Sequence, residues 1–208
     1  MIKTLLLIFN PADAWDRIIN ARRSLLAVLV LYLLPLLVLT SLGEAYGLIH
    51  WGKMQGAARL PRTFSVHQAL VFEGAYIGFM LVIVFVGAQV VKAMGETFHG
   101  RNTYGQTFTL ISYGLGPVFL LHLLDAFTPI SPWATWGVGI LLSSAVLYHG
   151  VPKVMEPDPP HAFGLFLVTS FVLFLATGLT RFIMAQYLQG RLSDLSSLHG
   201  LAGYPFLS

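Results

Sequence analysis

Ser24–Leu42 reads SLLAVLVLYLLPLLVLTSL, nineteen residues without a charge. A hydrocarbon core about 30 Å thick needs roughly 20 helical residues rising about 1.5 Å each. This stretch therefore predicts a membrane-spanning helix, with Pro35 as an internal kink or weak point. Four further stretches along the chain approach the same length. Ala69–Val91 is apolar apart from Glu73 near its start. Phe108–Leu124 contains Gly114, Gly116 and Pro117, and ends with His122 and then Asp125. Trp133–Val151 opens on two tryptophans and closes on His149, and Ala162–Thr180 is closed by Arg181 before Phe182–Leu188 continues. The two-residue alternation of an outer-membrane barrel is absent. The expected fold is all-α: a polytopic bundle of five transmembrane helices, of which the third has the weakest signal.

Composition points the same way. Of 208 residues, 56% are hydrophobic and 10% charged, where a soluble domain carries about 25% charged residues. So few charges cannot build a water-facing surface over so much apolar area. The chain has no cysteine, which excludes disulfides, thiolate metal sites and cysteine nucleophiles.

Three segments are expected: an N-terminal interfacial segment, 1–23, a five-helix domain, 24–188, and a tail, 189–208. Leu5–Phe9 is too short for a secretory h-region. Leu5, Leu6, Ile8, Phe9, Ala12, Trp15 and Ile19 are spaced so that many share a helix face, and Pro11 divides the stretch. The expectation is an amphipathic helix lying on the membrane without crossing it. The long loop Gly43–Phe64, with Trp51, Leu60 and Pro61, is expected at the interface. With the N-terminus cytoplasmic, Lys3, Arg17, Arg22, Arg23, Lys92, Arg101 and Lys153 fall inside, and Lys53, Arg59, Arg62, Arg181 and Arg191 outside. Four of the inner cations precede the first helix, which usually sets orientation. The expected placement is a bacterial cytoplasmic membrane, N-terminus in and C-terminus out.

Three stretches carry a family resemblance. Phe9-Asn-Pro-Ala-Asp-Ala-Trp-Asp-Arg-Ile18 resembles the "NP…AW..I" opening of the prokaryotic YIP proteins, relatives of the Ypt/Rab-interacting membrane proteins. Phe98-His-Gly-Arg-Asn-Thr-Tyr-Gly-Gln-Thr-Phe108 resembles their "FGG(K)..(Y/F).Q" linker, with Arg101-Asn102 where a second glycine and a lysine are usual. Ile111-Ser-Tyr-Gly-Leu-Gly-Pro117 resembles their third helix. The likeness covers residues 9 to 188. It implies a five-helix membrane domain with a cytosolic N-terminus, no catalytic residue and no cofactor. Eukaryotic members act with small GTPases; that partner is not carried over to this chain.

Polar groups in hydrocarbon cost about 2.5–3.5 kcal/mol each on insertion scales, so each needs a reason. Glu44, His67, Glu73, His122, Asp125 and Arg181 all fall toward the outer helix ends. Glu73, His122, Asp125 and Arg181 are the candidate polar cluster; with Glu44 counted there are three carboxylates, among which Arg181 is the one cation. Either they form an outward-facing site for a cation or proton, or Arg181 pairs with a carboxylate and ties helices together. His122 and Asp125, at i and i+3, share a face and supply half a metal site, with His67, Glu73 and Glu44 as further ligands; the alternative is a simple hydrogen-bonded pair. Gly74 and Gly78 are candidate helix-packing positions, and Gly137, Gly139, Gly164 and Gly178 add small surfaces. His149, His161 and Lys153 are expected in a solvated turn with Glu156 and Asp158.

No zincin, nucleophile-elbow, Walker or dinucleotide motif is present, and no basic, aromatic-interleaved surface suggests nucleic acid. The reading assigns no catalytic residue, metal ion or cofactor. It leaves two functions open: a non-enzymatic membrane scaffold or accessory subunit in contact with lipid and other membrane proteins, or a small transporter or channel component built on the polar cluster.

Overall fold

The computed structural model describes residues 2–55, 60–98, 100 and 102–188. The expected tail, 189–208, and the cations Arg59, Arg101 and Arg191 lie outside these residues. Two short helices, α1 (Ile2–Phe9) and α2 (Pro11–Asn20), precede five long ones. These are α3 (Leu25–His50), α4 (Val66–Thr97), α5 (Tyr104–Ala126), α6 (Pro132–Met155) and α7 (Ala162–Leu188), each long and apolar enough to cross a membrane. A two-stranded antiparallel pair, β1 (Lys53–Gln55) and β2 (Leu60–Arg62), joins α3 to α4. The protein is an all-α polytopic bundle in contact with lipid.

The helices run beyond the apolar stretches because their ends are capped with polar side chains. Ser65 and Gln68 form a reciprocal capping box at the start of α4, and Thr103 and Gln106 form another at the start of α5. The Gln of the linker motif is thus a helix-capping residue, and α5 begins inside the stretch expected to be a linker. Pro35 marks the weak point expected in α3. It has no N–H to give the carbonyl one turn back, and a π-type turn over Leu29–Leu33 immediately precedes it. In α5, Leu115 separates the stretch up to Gly114 from a new start at Gly116–Pro117, and the last turn, His122–Ala126, is 3₁₀.

The weakest span by sequence is the central one. α5 packs against α3, α4 and α6, while α7 closes the outside against α4 and α6. Of the most apolar window in each span, 72% is buried in α5 and 22% in α7. A helix wrapped in protein can carry Thr107, Ser112, Tyr113 and the break at Leu115 more readily than a lipid-facing helix could.

The N-terminal segment is divided at Pro11, as expected, and part of it packs against the bundle. Pro11 opens α2 as a separate helix, so the apolar residues do not form one stripe. Ile2, Leu5, Leu6, Phe9 and Ile19 face outward, whereas Leu7 and Trp15 are fully buried in the bundle. The Trp15 indole donates to the Val146 carbonyl at 2.9 Å and fills the space left by Gly150 of α6. Thr4 and Tyr32 hydroxyls meet at 3.0 Å, and the Tyr32 and Tyr113 rings stack at 4.0 Å. Burial, and then the Arg23 guanidinium, hold the Lys3 ammonium below its ordinary pKa. Lys153 departs from its expected place in the Glu156–Asp158 turn. It reaches back to Asp16 at 2.5 Å and to the Ala12 carbonyl at 2.9 Å, because α2 lies across the end of α6.

Trp15→Ala removes both the indole donor and the largest fully buried side chain. It is expected to cost about 3–5 kcal/mol, read as a lowered thermal midpoint in detergent micelles. Trp15→Phe, which keeps most of the volume, should recover the larger part.

Candidate functional site: a buried polar cluster joining all five spans

The polar cluster forms at the end of the bundle that holds His50, Val66, Ala126 and Pro132. Glu73 lies seven residues into α4 and Glu44 six residues before the end of α3, about 10 Å along each helix from that end. His122 and Asp125 sit in the 3₁₀ turn that ends α5. Side chains at i and i+3 eclipse in such a turn, and His122 Nδ1 lies 3.1 Å from Asp125 Oδ2. Arg181 of α7 donates to the same oxygen at 2.5 Å. Thr135, in the first turn of α6, donates to Asp125 Oδ1. On the other edge of the ring, His122 Nε2 lies 3.0 Å from Glu44 Oε2 and 3.3 Å from Glu73 Oε2. The Tyr76 ring stacks on the imidazole, centroids 3.8 Å apart.

The structure therefore brings Glu73, His122, Asp125 and Arg181 together, and Glu44 with them. His67 stays apart, exposed on the first turn of α4. Arg181 is not the one cation. Lys53, at the start of β1, turns inward, lies 3.5 Å from Glu44 Oε1 and donates to the Asp125 carbonyl. Placed by sequence in an interfacial loop, Lys53 is buried because the hairpin folds back over the helix ends. Nothing in its local sequence signals this. Thr135 gives no signal either, since a threonine in the first turn of an apolar helix is ordinary.

Helix approach sets these distances. A Cβ at Gly47 would collide with the backbone of Ala126, and one at Gly43 with the Leu123 side chain. Gly43 and Gly47, four apart on α3, let that helix close onto the turn carrying His122 and Asp125, which brings Glu44 within reach. Gly74 and Gly78 have the same spacing, but a Cβ added at either would have no atom within 4 Å, and both face out of the bundle. Gly139, Gly164 and Gly178 do meet neighbouring side chains or helices, at Val118, Phe98 and Trp136 respectively, while Gly137 faces open space.

Chemically, three carboxylates face a guanidinium, an ammonium and one imidazole, all buried. Glu44, Glu73 and His122 each offer a ligand atom, all within 4.8 Å of one another. Glu44 Oε2 and Glu73 Oε1 accept no hydrogen bond. Beside the cluster, a small pocket is bordered by Tyr76, Met80, Trp136, Thr177 and Arg181.

Arg181→Ala would leave Asp125 without its guanidinium and is expected to cost about 3–5 kcal/mol. Adding Asp125→Asn to that variant should restore part of the loss. A double-mutant cycle on unfolding in micelles checks this; strict additivity would refute the pairing.

Compared with protein families, the chain matches the model described as the Yip1 domain over residues 5–180. Comparison with curated proteins gave no match, and comparison with solved structures gave none.

Proposed function

From the premise that this chain belongs to the Yip1-domain family of membrane proteins, we propose that it is a non-enzymatic scaffold or accessory subunit of the membrane, acting through protein and lipid contacts. One observation carries this reading: the buried charged groups at one end of the bundle, Glu44, Glu73, His122, Asp125 and Arg181, meet one another and join the spans. Asp125 alone receives donors from α5, α6 and α7, with Lys53 on its carbonyl. The lipid-facing surface is left apolar, with Phe171, Leu179 and Phe182 on α7 and Leu141 on α6 exposed. Such a body is rigid inside and offers helix faces, including the open Gly74–Gly78 face, to other membrane proteins. Nucleic acid and small GTPases are not among the proposed partners.

The second reading is a small transporter or channel component. It is favoured by the two carboxylate oxygens without hydrogen bonds in an otherwise satisfied cluster. Reconstituted vesicles separate the two. A scaffold gives cation flux equal to protein-free vesicles and copurifies reproducibly with a larger membrane assembly in mild detergent. Flux abolished by Glu73→Gln in a folded protein establishes transport instead.

Orientation is proposed as N-terminus inside, in a bacterial cytoplasmic membrane. Lys3, Arg17, Arg22 and Arg23 all precede α3, and Lys153 joins them at the same end through Asp16. Single cysteines at Arg22 and Gly100 should resist an impermeant thiol reagent applied to intact cells, and one at Thr63 should react. The reverse pattern would overturn the orientation.

A further inference from the structure

We propose that Glu44, Glu73 and His122 bind one divalent transition-metal ion, with Asp125 orienting the imidazole and Lys53 serving as a movable counter-charge. The site is independent of whether the protein scaffolds or conducts.

Three observations carry it. The first is the ligand spacing. At a metal–ligand distance of about 2.0 Å, the edges of a tetrahedron are roughly 3.3 Å long. His122 Nε2 lies 3.0 and 3.3 Å from its two carboxylate neighbours, and all three ligand atoms fall within 4.8 Å.

The second is the unmet demand for positive charge. Two carboxylates converge on one ring nitrogen, which holds at most one proton. Glu44 Oε2 approaches Nε2 without a hydrogen bond, and Glu73 Oε1 has no donor at all, although the residues are only 1% and 4% exposed. Buried carboxylate oxygens without donors are costly, and a divalent ion would satisfy both groups at once.

The third is the outer arrangement. Asp125 Oδ2 faces Nδ1 at 3.1 Å. A proton held there leaves the Nε2 lone pair toward Glu44 and Glu73, the carboxylate–histidine pairing that supports metal-bound imidazoles. Asp125 is itself matched by Arg181 at 2.5 Å, so Glu44 and Glu73 are left to neutralise the ion. Lys53 is the cation in excess. It stands on the hairpin rather than on a span, from which its ammonium can withdraw toward water. The imidazole favours zinc and iron(II), and the two carboxylates also admit manganese.

The test uses the purified full chain in micelles, stripped with chelator and equilibrated with Zn²⁺ and, separately, Mn²⁺. The expected result is one ion per chain and an X-ray absorption spectrum with one imidazole nitrogen and oxygen ligands. Sulfur cannot contribute from cysteine, as the chain has none. Glu73→Gln and His122→Gln should each weaken binding at least about tenfold, and Asp125→Asn by roughly 10–100-fold. His67→Gln should leave it unchanged, and Lys53→Met should strengthen it. No stoichiometric binding of either ion, or Glu73→Gln binding as the wild type does, overturns the site. A spectrum with two or more imidazoles also overturns it, as an adventitious ion on surface histidines. Should Glu73→Gln fail to fold, the wild-type stoichiometry and spectrum decide alone.

Discussion

Asp125 is fully buried, in a protein whose surroundings are hydrocarbon. An ionised carboxylate persists in such a place only if donors replace the water it has lost. Its donors come from α5 itself, from the first turn of α6 and from the far end of α7, and its backbone carbonyl takes the Lys53 ammonium. Hydrogen bonds are short, so this requirement fixes the relative heights of the helices at that end. Apolar packing against lipid cannot do this, because helices sliding past one another in a bilayer trade one apolar neighbour for another.

The close approach of α3 is the complementary constraint. Glu44 joins the cluster only because Gly43 and Gly47 present no side chain to Leu123 and Ala126. The same four-residue spacing at Gly74 and Gly78 faces outward and meets nothing within the chain. Spacing of small residues thus marks a surface that permits close contact. Whether contact occurs is decided by what stands opposite, which a single helix does not contain.

That distinction explains what can be read from the sequence. The five spans are legible because length and apolarity are local properties set by the thickness of a bilayer. The four residues of the cluster are legible because an ionisable group inside such a span has to be explained, and Glu73, His122, Asp125 and Arg181 all lie toward the same end of their helices. Lys53 and Thr135 are not, since both occupy positions where their residue types are ordinary. The weak signal of the third span has a physical source as well. α5 is surrounded by protein rather than by lipid, so its sequence answers to neighbours instead of to hydrocarbon. Trp15 reads as lipid-facing for a similar reason: apolarity shows that a side chain leaves water, without saying what it meets.

The seat of Trp15 also bears on the order of assembly. Its carbonyl partner, Val146, lies 131 residues further along the chain. At synthesis rates of about 5–20 residues per second, α2 emerges many seconds before α6 exists to receive it. During that interval the indole has neither its acceptor nor its slot at Gly150, so a helix made early is seated late. The N-terminal pair of helices can thus take its seat only once α6 has been made.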